Sequence, residues 1–342
     1  MDTFTLGMVI FTVVLALCFD VINGCHDAAN SIATIVSTRV LSPRAAVLWA
    51  AFFNFAAMLV FAPKVADTVS KIVEVRPNDP IFVYIVLSAL IGAIVWDLLT
   101  WWWGLPTSSS HALIGGLIGA AMAFNGFEVV RWEKVVPVIE FIPLAPLIGV
   151  ALGFIFMLAL YWILRHYHPQ RVDTLFRRGQ LFSAALYSLG HGGNDAQKTM
   201  GIIVALFVAA GWFTPQTYLS LTEWRTLWIV LACHAAMALG TALGGWRIVK
   251  TMGMKIAKLK PVGGFAAESA GAATLFLATA LGVPVSTTHT ITGAIVGVGS
   301  TTSFSAVKWG VAARIVWAWV LTIPCSAFIA AVSFWVVRAL LG

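Results

Sequence analysis

The chain has 342 residues, 60% hydrophobic and 10% charged, with a formal net charge of +7 and a mean hydropathy of +0.92. A soluble globular domain carries about 25% charged residues, so there is too little polar surface here for a water-soluble enzyme, a disordered chain or a disulfide-stapled domain. The apolar runs are long and continuous, unlike the ~10-residue alternating segments of an outer-membrane barrel, and 15 Trp with 29 Gly suit packed membrane helices. The positive charge is expected in loops on one membrane face and not at a nucleic-acid surface. Cys18, Cys25, Cys233 and Cys325 have no CxxC spacing and lie in or beside apolar runs, so they are read as packing residues. The start at Met1-Asp2 lacks a basic n-region and a cleavage site, which reads as a retained first span.

In chain order, the apolar segments fall at roughly 4–36, 44–63, 81–103, 111–124 and 140–165, and, after a basic stretch, at 181–211, 226–246, 263–282, 286–299 and 309–340. A crossing helix needs ~20 residues. Segments 111–124 and 286–299 are short, and each follows a Gly/Pro-marked polar tip, Gly104 to His111 and Gly282 to His289. Short, interrupted segments in corresponding places mark transporter binding sites. Each is read as one arm of a re-entrant hairpin.

The tips align as Gly104/Gly282, Pro106/Pro284, Ser108/Ser286 and His111/His289, and Gly115/Gly293 and Gly119/Gly297 follow in step. A second match pairs Gly24 to Ser31 with Gly192 to Thr199. Two motifs in the same order define two repeats. The expected architecture is an all-α polytopic membrane protein with a first repeat over 1–165, a basic cytoplasmic linker over 166–180 and a second repeat over 181–342. Three spanning helices and one hairpin per repeat make the crossing number odd, so the second repeat enters inverted. One set of loops then collects Arg39, Arg44, the basic residues of 165–178, Arg247, Lys250, Lys255, Lys258, Lys260 and Lys308 against Asp173 alone. Positive-inside places that set in the cytoplasm and both termini outside a bacterial-type inner membrane.

Inside the apolar segments remain Asp20, Asp27, Asp97, Asp195, Glu268, Lys198 and Arg314. Each costs ~2.5–3.5 kcal/mol or more at mid-membrane, so function is the default reading. Asp97, beside Trp101 to Trp103, is expected near an interface or bonded to a neighbouring helix, and Arg314 is expected to snorkel. Asp27 and Asp195 are repeat mates in small-residue polar breaks. Asn30 and Lys198 follow them by one helical turn, so each pair can face one site. The plainer alternative is a bond between the two aspartates across the repeat interface.

Ser108-Ser109-Ser110 and Ser286-Thr287-Thr288 precede the short helices. They can be ordinary N-caps. Within a membrane, free N–H groups and hydroxyls at a dipole's positive end also bind an anion without a cationic side chain. Two such ends from opposite sides suit a tetrahedral oxyanion. Monobasic or dibasic phosphate brings a proton that can be donated to Asp27 or Asp195; sulfate brings none. His111 and His289 are open to titration or to helix packing, and the paired glycines are read as helix contacts.

At these residues the sequence resembles the PiT-type inorganic phosphate transporters. The carriers are Asn23-Gly24-Cys25-His26-Asp27-Ala28-Ala29-Asn30-Ser31, His191-Gly192-Gly193-Asn194-Asp195-Ala196-Gln197-Lys198 and the two tips. The resemblance implies inverted repeats with helical hairpins, cation-coupled phosphate symport, and phosphate and ion sites lined by Asp27, Asn30, Asp195, Ser108, Ser109, Ser110, Ser286, Thr287 and Thr288. Lys198 joins the substrate-binding candidates. The coupling-ion candidates are Asp27, Asn30, Asp195, Asn194 and Glu268.

Sodium-coupled members carry Asn-Asp-x-x-Asn in both repeats; here Lys198 stands where the first repeat has Asn30, as in proton-coupled bacterial members. An ammonium offers no acceptor to sodium and brings its own charge, so protons are the expected coupling ion and sodium the alternative. No cofactor, resident metal or enzymatic step is expected, and no ATP-binding motif is present. The expected partners are phosphate, free or as a divalent-metal complex, and the bilayer, with a homodimer left open. Sulfate permease, within the same family, and passive anion channel are the rival readings.

Overall fold

Apolar residues without a polar stripe suit helices surrounded by protein and lipid. The computed structural model describes residues 3–74, 76 and 79–341, so Met1 and Asp2 lie outside the described residues. Its helices are α1 (Thr3–Ser37), α2 (Pro43–Ala56), α3 (Lys64–Ser70), α4 (Pro80–Trp103), α5 (Ser109–Asn125) and α6 (Trp132–Leu164), then α7 (Pro169–Ala209), α8 (Trp224–Leu243), α9 (Trp246–Lys250), α10 (Pro261–Ala280), α11 (Thr287–Thr302) and α12 (Trp309–Leu341). Among the described residues, six helices are long and apolar enough to cross a membrane, or seven if the pair around α2 and α3, bent by 83°, is one broken span; α5, expected to be too short, is one of the six because a 3-10 turn extends it to Val129. The chain is an all-α, multi-span membrane protein.

Two further segments differ from expectation. The run 44–63 is not one helix: α2 gives way to a 3-10 turn over Ala57–Leu59, and α3 starts afresh after Pro63. Proline disfavours helix at the residue before it and removes a donor. The stretch 166–180 is helical from Pro169 and continuous with the next segment, so α7 runs for 41 residues. Pro169 is preorganised for a helix start, and His168 caps it, Nδ1 accepting from the Gln170 N–H at 3.4 Å.

The element order recurs. Each half has a long polar-striped helix, a broken pair, two helices joined at a tip, and a long outer helix. The outer helices are lipid-like outside: only 17% of the most apolar window of α6 is buried, against 67% in α4. Trp162, Ile163, Trp317 and Phe328 stand exposed there, as suits a surface turned to hydrocarbon or to another protein.

The core forms two apolar clusters. The first holds Phe19 of α1, residues of α4 between Phe82 and Trp96, of α5 between Ala112 and Ala121 and of α7 between Ala196 and Ala209, and Ala330 and Phe334 of α12. The second holds Ala29 to Ile35 of α1, Tyr187 of α7, residues of α10 between Ala266 and Ala278 and of α11 between Ile291 and Val298, and Ile315 and Trp319 of α12. Thus α1 passes from the first cluster to the second, whereas α7 passes from the second to the first. Residues 20–27 of α1 and 188–195 of α7, rich in polar groups, lie between the clusters.

Both tips begin at a helix-ending glycine in the left-handed region, Gly104 at φ 65° and Gly282 at φ 72°. That conformation costs glycine nothing. The paired glycines do pack helices: a Cβ at Gly119 would run into the Ala327 carbonyl of α12, and one at Gly297 into the Val150 carbonyl of α6. Each short helix is therefore clamped by an outer helix of the other half.

Candidate functional site

In α1, Asp20, Asn23, Asp27, Asn30 and Thr34 recur every three or four residues and are all buried. That spacing makes one stripe. In α7, His191, Asp195 and Lys198 do the same. The stripes meet between the two apolar clusters. One atom each of Asp27, His191 and Asp195 lie within 4.8 Å of one another. The repeat mates Asp27 and Asp195 are thus brought together.

The tips arrive at the same place. Ser108 caps α5, its Oγ accepting from the His111 N–H at 3.3 Å, and Ser286 caps α11 by accepting from the His289 N–H at 3.2 Å. All six tip residues from Ser108 to Ser110 and from Ser286 to Thr288 are buried. Asn30 donates to Thr287 Oγ1 at 3.1 Å and to Thr288 Oγ1 at 2.9 Å. Lys198 donates to Asp195 at 2.5 Å, to the Val285 carbonyl at 3.0 Å and to Ser110 Oγ. Thr287 donates to Asp195 Oδ2 at 3.3 Å. Helix α1 of the first half therefore holds the tip of the second, while Lys198 of the second half reaches both tips.

Both aspartates have close partners. His26 Nδ1 stands 2.8 Å from Asp27 Oδ1, and its Nε2 lies 3.1 Å from Thr100 Oγ1 and 3.3 Å from Thr107 Oγ1. His191 Nε2 lies 3.3 Å from Asp195 Oδ2, and its Nδ1 lies 3.2 Å from Asn54 Oδ1. Each aspartate thus has an imidazole, and Asp195 has an ammonium as well. Asp27 and Asn30 offer oxygen ligands to a cation, and the tips offer donors to an anion.

Other expected residues fall elsewhere. Asn194 turns away, donating to Thr279 Oγ1 at 3.0 Å and to the Val283 carbonyl at 3.3 Å. Glu268 lies in a second buried network, accepting from Thr34 at 2.6 Å, Gln180 at 2.8 Å and Ser183 at 2.5 Å. No bond joins it to Asp27 or Asp195 among the described residues. Asp97 is fully buried, with His26 of α1 and Ser109 of α5 near its carboxylate, although neither oxygen has a partner at hydrogen-bond distance among the described residues. Arg314 is exposed, and its Nε donates to the Gly310 carbonyl at 3.4 Å. The histidines after the tips pack: His289 lies 4.8 Å from His111, stacks on Trp319 at 3.9 Å and contacts the Ile142 carbonyl at 3.3 Å. Trp319 donates to the Pro106 carbonyl at 2.9 Å, tying the tips together.

Several site groups carried no weight in the sequence reading. His26 and His191 stood in the quoted motifs but were given no role, although His191 precedes Asp195 by one turn. Asn54 and Thr100 had no signal beyond being polar in apolar runs, and Thr107 stood in the first tip without a role.

The chain was compared with known proteins. The profile of the phosphate transporter family matches residues 23–330. A probable low-affinity inorganic phosphate transporter of Rhizobium meliloti is 51% identical over 97% of both chains. One of Bacillus subtilis is 42% identical over 97% of both chains. A solved structure described as the sodium-dependent phosphate transporter superposes with TM-score 0.86 at 26% identity, covering 98% of this chain and 100% of that one. With a family match over most of its length and relatives this similar along the whole chain, the protein belongs to the phosphate transporter family.

Proposed function

We propose that this protein imports inorganic phosphate by symport, moving it between two inverted halves that open in turn to either side of a bacterial-type inner membrane. The observation that carries the reading is the convergence of two capped helix N-termini on Asp27, Asp195 and Lys198. N–H groups and hydroxyls at the tips donate to the anion's oxygens, and the aspartates accept from the protons that phosphate carries. The opposite passage of α1 and α7 through the two clusters supports the inversion. The basic loops mark the cytoplasmic side, with both termini outside. No bond is made or broken.

Protons are the proposed coupling ion. Lys198 fills with fixed charge the place that an amide occupies in the first half, and the bonds to Asp195 and Ser110 tie that charge to both carboxylate and tip. Sodium coupling is the second reading, favoured by the description of the structural neighbour as sodium-dependent and by the oxygens of Asp27 and Asn30. Uptake of labelled phosphate into proteoliposomes separates them. An inward proton gradient without sodium should drive accumulation, and sulfate should compete weakly. Strict sodium dependence would replace the proton assignment. Uptake that never exceeds equilibrium would make the protein a channel, and a requirement for a divalent cation would make the cargo a metal phosphate.

A further inference from the structure

On the basic face, away from the tips, α6 and α11 part. Between Pro146 and Gly153 the two helices touch backbone to backbone through glycines. Past Gly153 the small residues of α6 give way to Phe154, Ile155, Phe156 and Met157, and a cavity of about 710 Å³ opens, lined by Leu160, Tyr161 and Leu164 of α6 and by Val298 and Thr302 of α11. Pockets that hold an organic ligand measure about 300–1,000 Å³. Val298 stands eleven residues along α11 from Thr287, roughly 16 Å at helical rise, so this cavity is separate from the phosphate site.

The walls are apolar and the rim is basic. Arg165, Lys258, Lys260 and Lys308 line it with one acid, Asp173, which is already paired with Arg177 at 2.8 Å. Among the described residues none of the three lysines has an ion-pair partner. Unpaired cations at the mouth of an apolar cavity call for an amphipathic anion. A simple aqueous anion would find no use for the apolar walls, and a zwitterionic lipid would leave the charge excess unanswered. A second copy of this chain in the same bilayer, oriented the same way, would set lysines against lysines.

We propose that this cavity binds an anionic glycerophospholipid of the surrounding bilayer, with acyl chain against Leu160, Leu164 and Val298 and phosphate on Lys258, Lys260 and Lys308. Basic pockets between membrane helices hold anionic headgroups in this way. The lipid would bridge α6 of the first half to α10 and α11 of the second.

The test is native mass spectrometry of the full chain in detergent, offered phosphatidylglycerol or phosphatidylcholine of identical chains. The unmodified protein should retain phosphatidylglycerol preferentially. Lys258→Ala, Lys260→Ala and Lys308→Ala should each reduce that preference by roughly fivefold, the worth of one basic residue near an anionic surface. These lysines are exposed, so folding should survive. Thr302→Trp fills the cavity without changing charge and should lower retention of both lipids, whereas Lys71→Ala, outside the cavity, should change nothing. Excess inorganic phosphate should not displace the adduct. Equal retention of the two lipids, indifference to the lysine variants, displacement by inorganic phosphate, or a dimer that excludes lipid would each overturn the proposal.

Discussion

At the residue scale, the two aspartates are not equivalent. Asp195 is held by Lys198, Thr287 and His191, while Asp27 has His26. Asp27→Asn or Asp195→Asn keeps the shape but removes charge and turns one acceptor into a donor. Both variants should lose most phosphate uptake at equal membrane abundance, and near-normal uptake by both would remove the central claim about the site. Lys198→Asn deletes a cationic side chain that reaches both tips. It should severely impair proton-driven uptake, measured in proteoliposomes with an imposed gradient, whereas full activity would make the lysine structural. Glu268 belongs to another account. Glu268→Ala leaves the donors of Thr34, Gln180 and Ser183 without their buried acceptor, each worth about 1–3 kcal/mol if unsatisfied. The expected outcome is a clear fall in thermal melting temperature in detergent.

At the element scale, α5 and α11 both start at hydroxyl caps, and α11, at 16 residues, falls short of the ~20 that an ordinary span needs. Their caps are buried, and the outer helices clamp them through glycines. Gly297→Leu should therefore break the α6 contact at a cost of about 1–3 kcal/mol or more, as overpacking does, read as early unfolding on heating. Gly104 and Gly282 turn the chain toward the tips because only glycine adopts their φ without strain. Cysteines placed at Ser109 and Thr287, in a background without the native four, should resist bulky impermeant thiol reagents. They should react slowly with small ones, and phosphate should protect them. Rapid labelling by the bulky reagent, unaffected by phosphate, would place the tips at the surface.

At the scale of the molecule, the two apolar clusters form two layers, and the polar site lies where they meet. A buried polar site needs internal partners because burying an unpaired charge is costly. Here the partners come crosswise, Asn30 to the second tip and Lys198 to the first. Motion of one half against the other would rearrange these bonds, as the alternating access proposed above requires. Orientation is open to direct test. In intact cells, a cysteine at Arg178 should be labelled only after the membrane is permeabilised, and one at Arg131 should be labelled from outside. The reverse pattern would invert the topology.

The sequence by itself determined the solvent, the helical class, the doubled motif and the tips, because each is local. Composition decides whether lipid or water surrounds the chain, Gly-x-Pro followed by hydroxyls decides where a helix stops and restarts, and a repeat is visible as two copies of one string. It also brought forward Asp27, Asn30, Asp195 and Lys198, whose spacing puts them on single helix faces. Only the tertiary structure decided which groups answer them. His191 and Asn54 lie 137 positions apart in the chain, and Asn30 and Thr288 lie 258 apart. No periodicity spans such distances. Glu268 and Asn194 looked like members of the same site because buried polar residues look alike in sequence. They were separated by Thr34, Gln180 and Ser183 in one case and by Thr279 in the other, partners supplied by the packing of whole helices and invisible in any window along one of them.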